Sequence, residues 1–456
     1  MRMPRTRARA LTLTAALLAL GACGGGSHCI EGSSQSCACT DGRMGAQLCG
    51  AGGTYGACVC DGPATDASVD ALVDPATDAS ASDTGPSACT TGQSCACEGG
   101  AIGYCEGTSC VCDPGPVPCA EDVDWLFLVD TSNSMVEEQV ALASELPRLV
   151  QVLASGDADG DGTPDFAPVR SLHLGVVTPD LGAGDLSGIP TCAMGFGDDG
   201  ILRSTGPSCA SPHGSNVFEF MSGGATTPDA FADEFACVAQ AGTGGCGFEQ
   251  QLEAPLRALS PSSPTAWTRD GFVPPTFRDG SFGHALDANA GFVREGSVLA
   301  ITLVSDEDDC SVPDTHLFDF ADPRYPAGLN MRCILYPDAL YPTQRYVDGL
   351  LGLRPHPGLL VYSVIAGMPT GAFPGYDALL ADPAMTPRPD PMDMNRIVPA
   401  CESAGGSAFP ARRMVEVARD LDHAGVQTSV SSICESSYET AVSDIVRALV
   451  RARSSC

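Results

Sequence analysis

From residue 119 onward the chain alternates between two patterns of apolar residues. The first is a short unbroken run, as expected of strands buried on both faces. It occurs at Asp124–Asp130 (DWLFLVD), Ser171–Thr178 (SLHLGVVT), Ser297–Ser305 (SVLAITLVS) and Leu359–Ala366 (LLVYSVIA), and Val426–Ile433 is read as a fifth strand. Ser215–Met221 reads as a shorter edge strand. The second pattern has the spacing of a helix face. Val136, Val140, Leu142, Leu146, Leu149 and Leu153 predict a helix over 135–155. Further helices are predicted over Asp229–Ala241, Phe248–Leu259, Pro410–His423 and Ser437–Arg453. Strands alternating with helices predict an α/β fold: a doubly wound, mostly parallel sheet flanked by helices. Its site should lie at the carboxyl ends of the strands.

The first 118 residues follow neither pattern. Residues 1–22 carry Arg2, Arg5, Arg7 and Arg9, then an apolar run from Ala10 to Leu20, as in a secretory signal. The sequence Leu20-Gly21-Ala22-Cys23 resembles the bacterial lipoprotein signal, which implies cleavage before Cys23 and a lipid on its sulfur. Gly24 fits outer-membrane sorting in a Gram-negative cell by the same resemblance. Residues 23–60 then hold this N-terminus and a first set of six cysteines: 29, 37, 39, 49, 58 and 60. Residues 89–118 repeat it with cysteines 89, 95, 97, 105, 110 and 112; both copies share SCAC and end in CVCD. Neither copy has the apolar residues for a core, so three disulfides each are expected to hold them, rather than zinc. Six cysteines allow 15 pairings, and the spacing does not choose. The intervening segment 61–88, rich in Asp, Ala, Ser and Pro, predicts a disordered acidic linker.

Composition narrows the chemistry. There is no lysine, so all 24 basic residues are arginine against 56 acids, and the formal charge is −32. This excludes chemistry that needs a lysine, and argues against nucleic acid as a partner because no basic patch exists. No apolar run reaches the roughly 18 residues of a membrane span. The seven histidines are scattered, with no H-E-x-x-H, and G-x-S-x-G is absent, so nothing marks the chain as an enzyme. Export implies an oxidising compartment, in which cysteines pair. Without Cys23 and the twelve of the repeats, ten remain, an even number.

The chemistry that is present is oxygen-based. The run DTSNSM places Asp130, Ser132 and Ser134 at i, i+2 and i+4, directly after an apolar strand and before a helix. A carboxylate and two hydroxyls so spaced suit Mg²⁺, which takes about six oxygens and keeps some water. The arrangement resembles the D-x-S-x-S motif of the von Willebrand factor A-type (vWA) domain, where it forms a metal-ion-dependent adhesion site. The resemblance covers roughly residues 120–456, and implies a vWA/Rossmann-like fold and a Mg²⁺ (or Mn²⁺) site open to a partner's carboxylate. It also implies a later aspartate, which Asp306 supplies after LAITLVS, and a threonine, for which Thr243 in GTGGCGFEQQL is the candidate. Thr178 and Asp180 become neighbours rather than ligands. The sequence departs from the family in SDEDDCS; residues 306–309 there could add a second cation, but a solvated loop is the favoured reading.

A second motif lies in GDADGDGTPDF, where Asp157, Asp159, Asp161 and Asp165 with Gly162 resemble the short calcium loops of dockerin and thrombospondin type 3 repeats. Position 168 is proline, so the glutamate that completes an EF-hand is missing. Ca²⁺ there is expected to pin the first helix to the second strand. Proximity along the chain suggests the disulfides Cys192–Cys209, Cys237–Cys246, Cys310–Cys333 and Cys401–Cys434. In a sheet of this type the chain ends meet, which suggests Cys119–Cys456. The expected function is metal-dependent binding or adhesion to a protein or surface ligand; the alternative is a structural envelope protein in which the metal only stabilises the fold.

Overall fold

A computed structural model describes residues 120–453 except 190, 404 and 405, together with five short strands nearer the N-terminus. The signal segment, Cys23, the acidic linker and the Cys119–Cys456 pairing lie outside the described residues. The chain divides into two compact units, Met1–Ala81 and Ser82–Cys456. In the first, Ser34–Ala38 pairs antiparallel with Met44–Leu48. In the second, Ser94–Ala96, Ile102–Glu106 and Ser109–Val111 form a three-stranded antiparallel sheet with a Cys95–Cys110 disulfide.

The main sheet has six strands: β1 Asp122–Val129, β2 Ser171–Val177, β3 Phe218–Met221, β4 Val298–Ser305, β5 Leu360–Ala366 and β6 Gln427–Ser432. Their order is β6-β5-β4-β1-β2-β3, parallel throughout except for the antiparallel edge strand β3. The fold class is therefore α/β with a mostly parallel central sheet, as the alternation predicts. The runs of β1, β2, β4 and β5 are unbroken because both faces are covered. Trp125, Phe127 and Val129 point into one core, Leu126 and Leu128 into the other. The first core is closed by α1 Val136–Ser155, α2 Pro228–Ala239 and α6 Glu439–Arg453. The second is closed by α3 Glu253–Leu259, α4 Gln344–Leu351 and α5 Arg412–His423. Ala120 and Arg453 meet, the Arg453 Nε donating to the Ala120 carbonyl at 3.3 Å, so the two ends of this domain adjoin.

Three expectations need correction. The inner face of α1 is Leu142, Leu146, Leu149, Val150 and Leu153 with Glu138 and Gln139, while Val136 and Val140 are half-exposed on the outside. The helix predicted from Phe248 begins only at Glu253, because the preceding residues turn to meet the strand ends. Two disulfides pair differently: Cys192 joins Cys246, and Cys209 joins Cys237, while Cys310–Cys333 and Cys401–Cys434 form as expected. The cause is the segment 182–197, which folds back on itself through the Gly184–Gly195 bridge and carries Cys192 away from Cys209. Gly206 meanwhile lies against the Cys237 carbonyl, which leaves Cys209 beside α2.

Candidate metal centre

Parallel register builds the centre. Val129 stands opposite Val304, so β1 and β4 end in step and deliver Asp130 and Asp306 to adjacent positions. The Asp130 N–H still donates to the Val304 carbonyl at 3.0 Å, which holds that loop to the sheet. Its carboxylate is fully buried: Oδ1 accepts from the Ser132 N–H at 2.7 Å and Oδ2 from the Ser305 hydroxyl at 2.5 Å. The Ser132 and Ser134 hydroxyls lie 3.1 Å apart, and Ser132 Oγ donates to Asp306 Oδ1 at 3.4 Å. Four of the five predicted ligands thus meet, although 174 positions separate Ser132 from Asp306. Thr243 sits half-buried in the adjoining loop and makes no hydrogen bond to the other four.

Three residues hold that adjoining loop. Gln139, buried on α1, donates to the Asp130 and Gly242 carbonyls, both at 2.7 Å, and accepts from the Gly242 N–H at 3.0 Å. Gly245 donates to the Thr131 carbonyl, and a Cβ there would stand 2.0 Å from Thr131 Oγ1, so only glycine fits. Asp180 helps from β2's end, its Oδ2 accepting from the Cys246 N–H at 3.1 Å. Asp180 is the neighbour the resemblance implied; the rest was not visible as motif. The one signal was Gln139 itself, a polar residue in the apolar stripe of α1.

The electrostatics are unusual. Burial, and then the nearby Asp130, push Asp306 up to about 7. Burial with Asp306 and Asp130 pushes Glu307 up to about 8. Glu249, which the sequence reading passed over, is raised well above the carboxylate range by burial, then by Asp130, Glu307 and Asp306. Burial likewise raises Glu138. Glu138 and Glu249 each keep a buried carboxylate oxygen without a hydrogen-bond partner. Among the described residues no arginine or histidine forms an ion pair with Asp130, Asp306, Glu307 or Glu249. An all-oxygen donor set with surplus buried negative charge fits a hard divalent cation.

The rest of the acidic run is not a solvated loop, contrary to the favoured reading. Asp309 is buried, pairs with Arg413 Nε at 3.1 Å and accepts from the Leu252 N–H at 2.8 Å. Asp308 accepts from the Arg413 N–H at 3.1 Å. These two acids therefore fasten α5 to the site. Beside the centre opens a cleft of about 840 Å³, reached from Ser132, Ser134, Glu249 and Glu307 and walled by Leu329, Ile334 and Ile397.

The calcium-type loop forms a separate acidic cluster, exposed on the surface. Asp157, Asp159 and Asp165 present oxygens within 4.8 Å of one another. Asp161 is not part of this group; its Oδ1 is used by the Thr163 N–H at 2.7 Å. Asp157 accepts from the N–H groups of Gly160 at 2.7 Å and Gly162 at 2.8 Å, and Asp165 from that of Ala158 at 2.9 Å. The loop starts at Gly156, which caps α1 at φ 77°; a Cβ there would meet the Phe166 carbonyl at 2.1 Å.

No protein-family model and no curated protein sequence matches this chain. Among the described residues no helix is long and apolar enough to cross a membrane.

Proposed function

We propose that this chain is an exported lipoprotein, held by a lipid on Cys23 to the outer membrane of a Gram-negative cell. Its vWA-type domain would bind a protein or surface ligand through Asp130, Ser132, Ser134, Thr243 and Asp306 holding Mg²⁺ or Mn²⁺. One observation carries the reading: the Asp130 loop and Asp306 converge into a buried cluster of oxygens in which, among the described residues, no arginine or histidine is paired with either acid. When bound, the ion would offer a coordination position to a partner's carboxylate. The protein's part is to orient Asp130 through Ser305 and the Ser132 N–H, and to hold the Thr243 loop with Gln139. Asp157, Asp159 and Asp165 would take Ca²⁺ and brace the connection from α1 to β2.

A second reading is favoured by the Asp130 carboxylate itself, both of whose oxygens already accept hydrogen bonds within the protein. On that reading the protein is a structural part of the envelope and the metal only stabilises it. Calorimetric titration of the oxidised full chain with Mn²⁺ and Mg²⁺, in an Asp159→Ala background, separates the possibilities. The adhesion-type reading expects one site, lost in Asp130→Ala and weakened at least tenfold in Ser134→Ala, whose exposed side chain is dispensable for folding. A folded protein that binds neither ion removes the metal from both readings.

A further inference from the structure

The five oxygens of the proposed centre leave Glu249 unexplained. It is 2% exposed, it follows the Gly242–Cys246 loop directly, and its Oε1 has no hydrogen-bond partner. An ionised carboxylate so placed is costly unless a proton or a cation reaches it. Its other oxygen accepts from Gln251 Nε2 at 3.2 Å. The same Gln251 nitrogen donates to Ser305 Oγ at 3.0 Å, and that hydroxyl donates to Asp130 Oδ2. Glu249 is therefore joined to Asp130 through two side chains, and it shares the cleft lining with Ser132 and Ser134. Glu138, the other buried acid with an unpartnered oxygen, has neither connection.

Resting on the metal centre proposed above, we infer that Glu249 is a further ligand of that cation, a third carboxylate beside Asp130 and Asp306. The consequence concerns the partner. Asp130 and Asp306 alone neutralise a divalent ion, so an incoming carboxylate meets no net charge. With Glu249 the protein itself supplies a sixth oxygen, and a partner's carboxylate must take the place of an internal one. Glu249 then sets the threshold for binding as well as the affinity for the ion.

The test is Mn²⁺ titration of the oxidised full chain, in the Asp159→Ala background, read by calorimetry and by electron paramagnetic resonance of the bound ion. Three forms are compared: otherwise unchanged, Glu249→Gln and Glu138→Gln. The proposal expects Glu249→Gln to weaken Mn²⁺ at least tenfold and alter the resonance of what remains bound, with Glu138→Gln within about threefold of the parent. Metal-free melting temperature supplies the check on folding; it should not fall in Glu249→Gln, because the amide has nearly the same shape and keeps an oxygen to accept from Gln251. Unchanged Mn²⁺ affinity in Glu249→Gln overturns the proposal while leaving the centre standing. Equal weakening by both variants also overturns it, since the effect would then be general charge rather than ligation. No Mn²⁺ site in the parent defeats the centre itself, and the Glu249 assignment with it.

Discussion

Gln139 is the residue on which the geometry of the centre depends most and which has no role as a ligand. Its amide makes three hydrogen bonds across the join between the end of β1 and the Gly242 loop, to backbone groups of Asp130, 9 positions away, and of Gly242, 103 positions away. Removing it leaves two carbonyls and one N–H without that partner. At roughly 1–3 kcal/mol for unsatisfied buried groups, Gln139→Ala should lower the urea midpoint clearly with an unchanged slope. Gln139→Glu should be no better, because it replaces the donating nitrogen with an acceptor beside Asp130. Unfolding curves of the three proteins check this, and identical midpoints would show that the clamp carries no stability. Val136 and Val140 lie the other way, half-exposed on the outer face of α1. Spacing assigned those valines to the core, yet the helix turns Gln139 inward instead, because two carbonyls and an N–H need partners there.

Elements were legible where one local pattern decided them. Unbroken runs marked the four inner parallel strands, since burial on both faces leaves no polar alternation, and the D-x-S-x-S spacing marked the loop that leaves β1. Asp306 was readable because it ends a run of the same kind. What remained hidden depended on how loops fold back: the Cys192–Cys246 and Cys209–Cys237 pairs, the burial of Asp309, and Glu249. Nearness in sequence stands in for nearness in space only when no segment reverses between the two residues. The calcium-type loop shows the same limit within a single turn. Four aspartates share the spacing, but Asp161 turns to the Thr163 N–H while Asp157, Asp159 and Asp165 converge. Calcium affinity should therefore fall much further in Asp159→Ala than in Asp161→Ala, at least tenfold against about threefold. The rise in melting temperature on adding Ca²⁺ should rank the same way, and equal losses would show that Asp161 swings in to ligate.

Across the whole domain, the proposed centre makes a distinctive demand on pH. Asp306 at about 7 and Glu307 at about 8 are both raised above their ordinary values, first by burial and then by neighbouring acids. Asp308, raised chiefly by burial, reaches about 7 even with Arg413 beside it. In the unfolded chain such groups release their protons near pH 4. Between about pH 4 and pH 8 the folded metal-free protein consequently holds more protons than the unfolded one, and its stability must fall as pH rises through that window. Carboxylates with lowered values, such as Asp322 at about 2 beside Arg324, act in the opposite sense but only at lower pH. A divalent cation in the centre would replace those protons, so the loss should largely vanish when Mg²⁺ is present. Calorimetric melting in the Asp159→Ala background, from pH 5 to pH 8.5, should show a falling transition temperature in chelator. With Mg²⁺ the curve should stay nearly level, and the gap between the two should widen with pH. A metal-free protein whose melting temperature holds steady or climbs over that range would mean the cluster is neutralised from within, leaving the cation nothing to do.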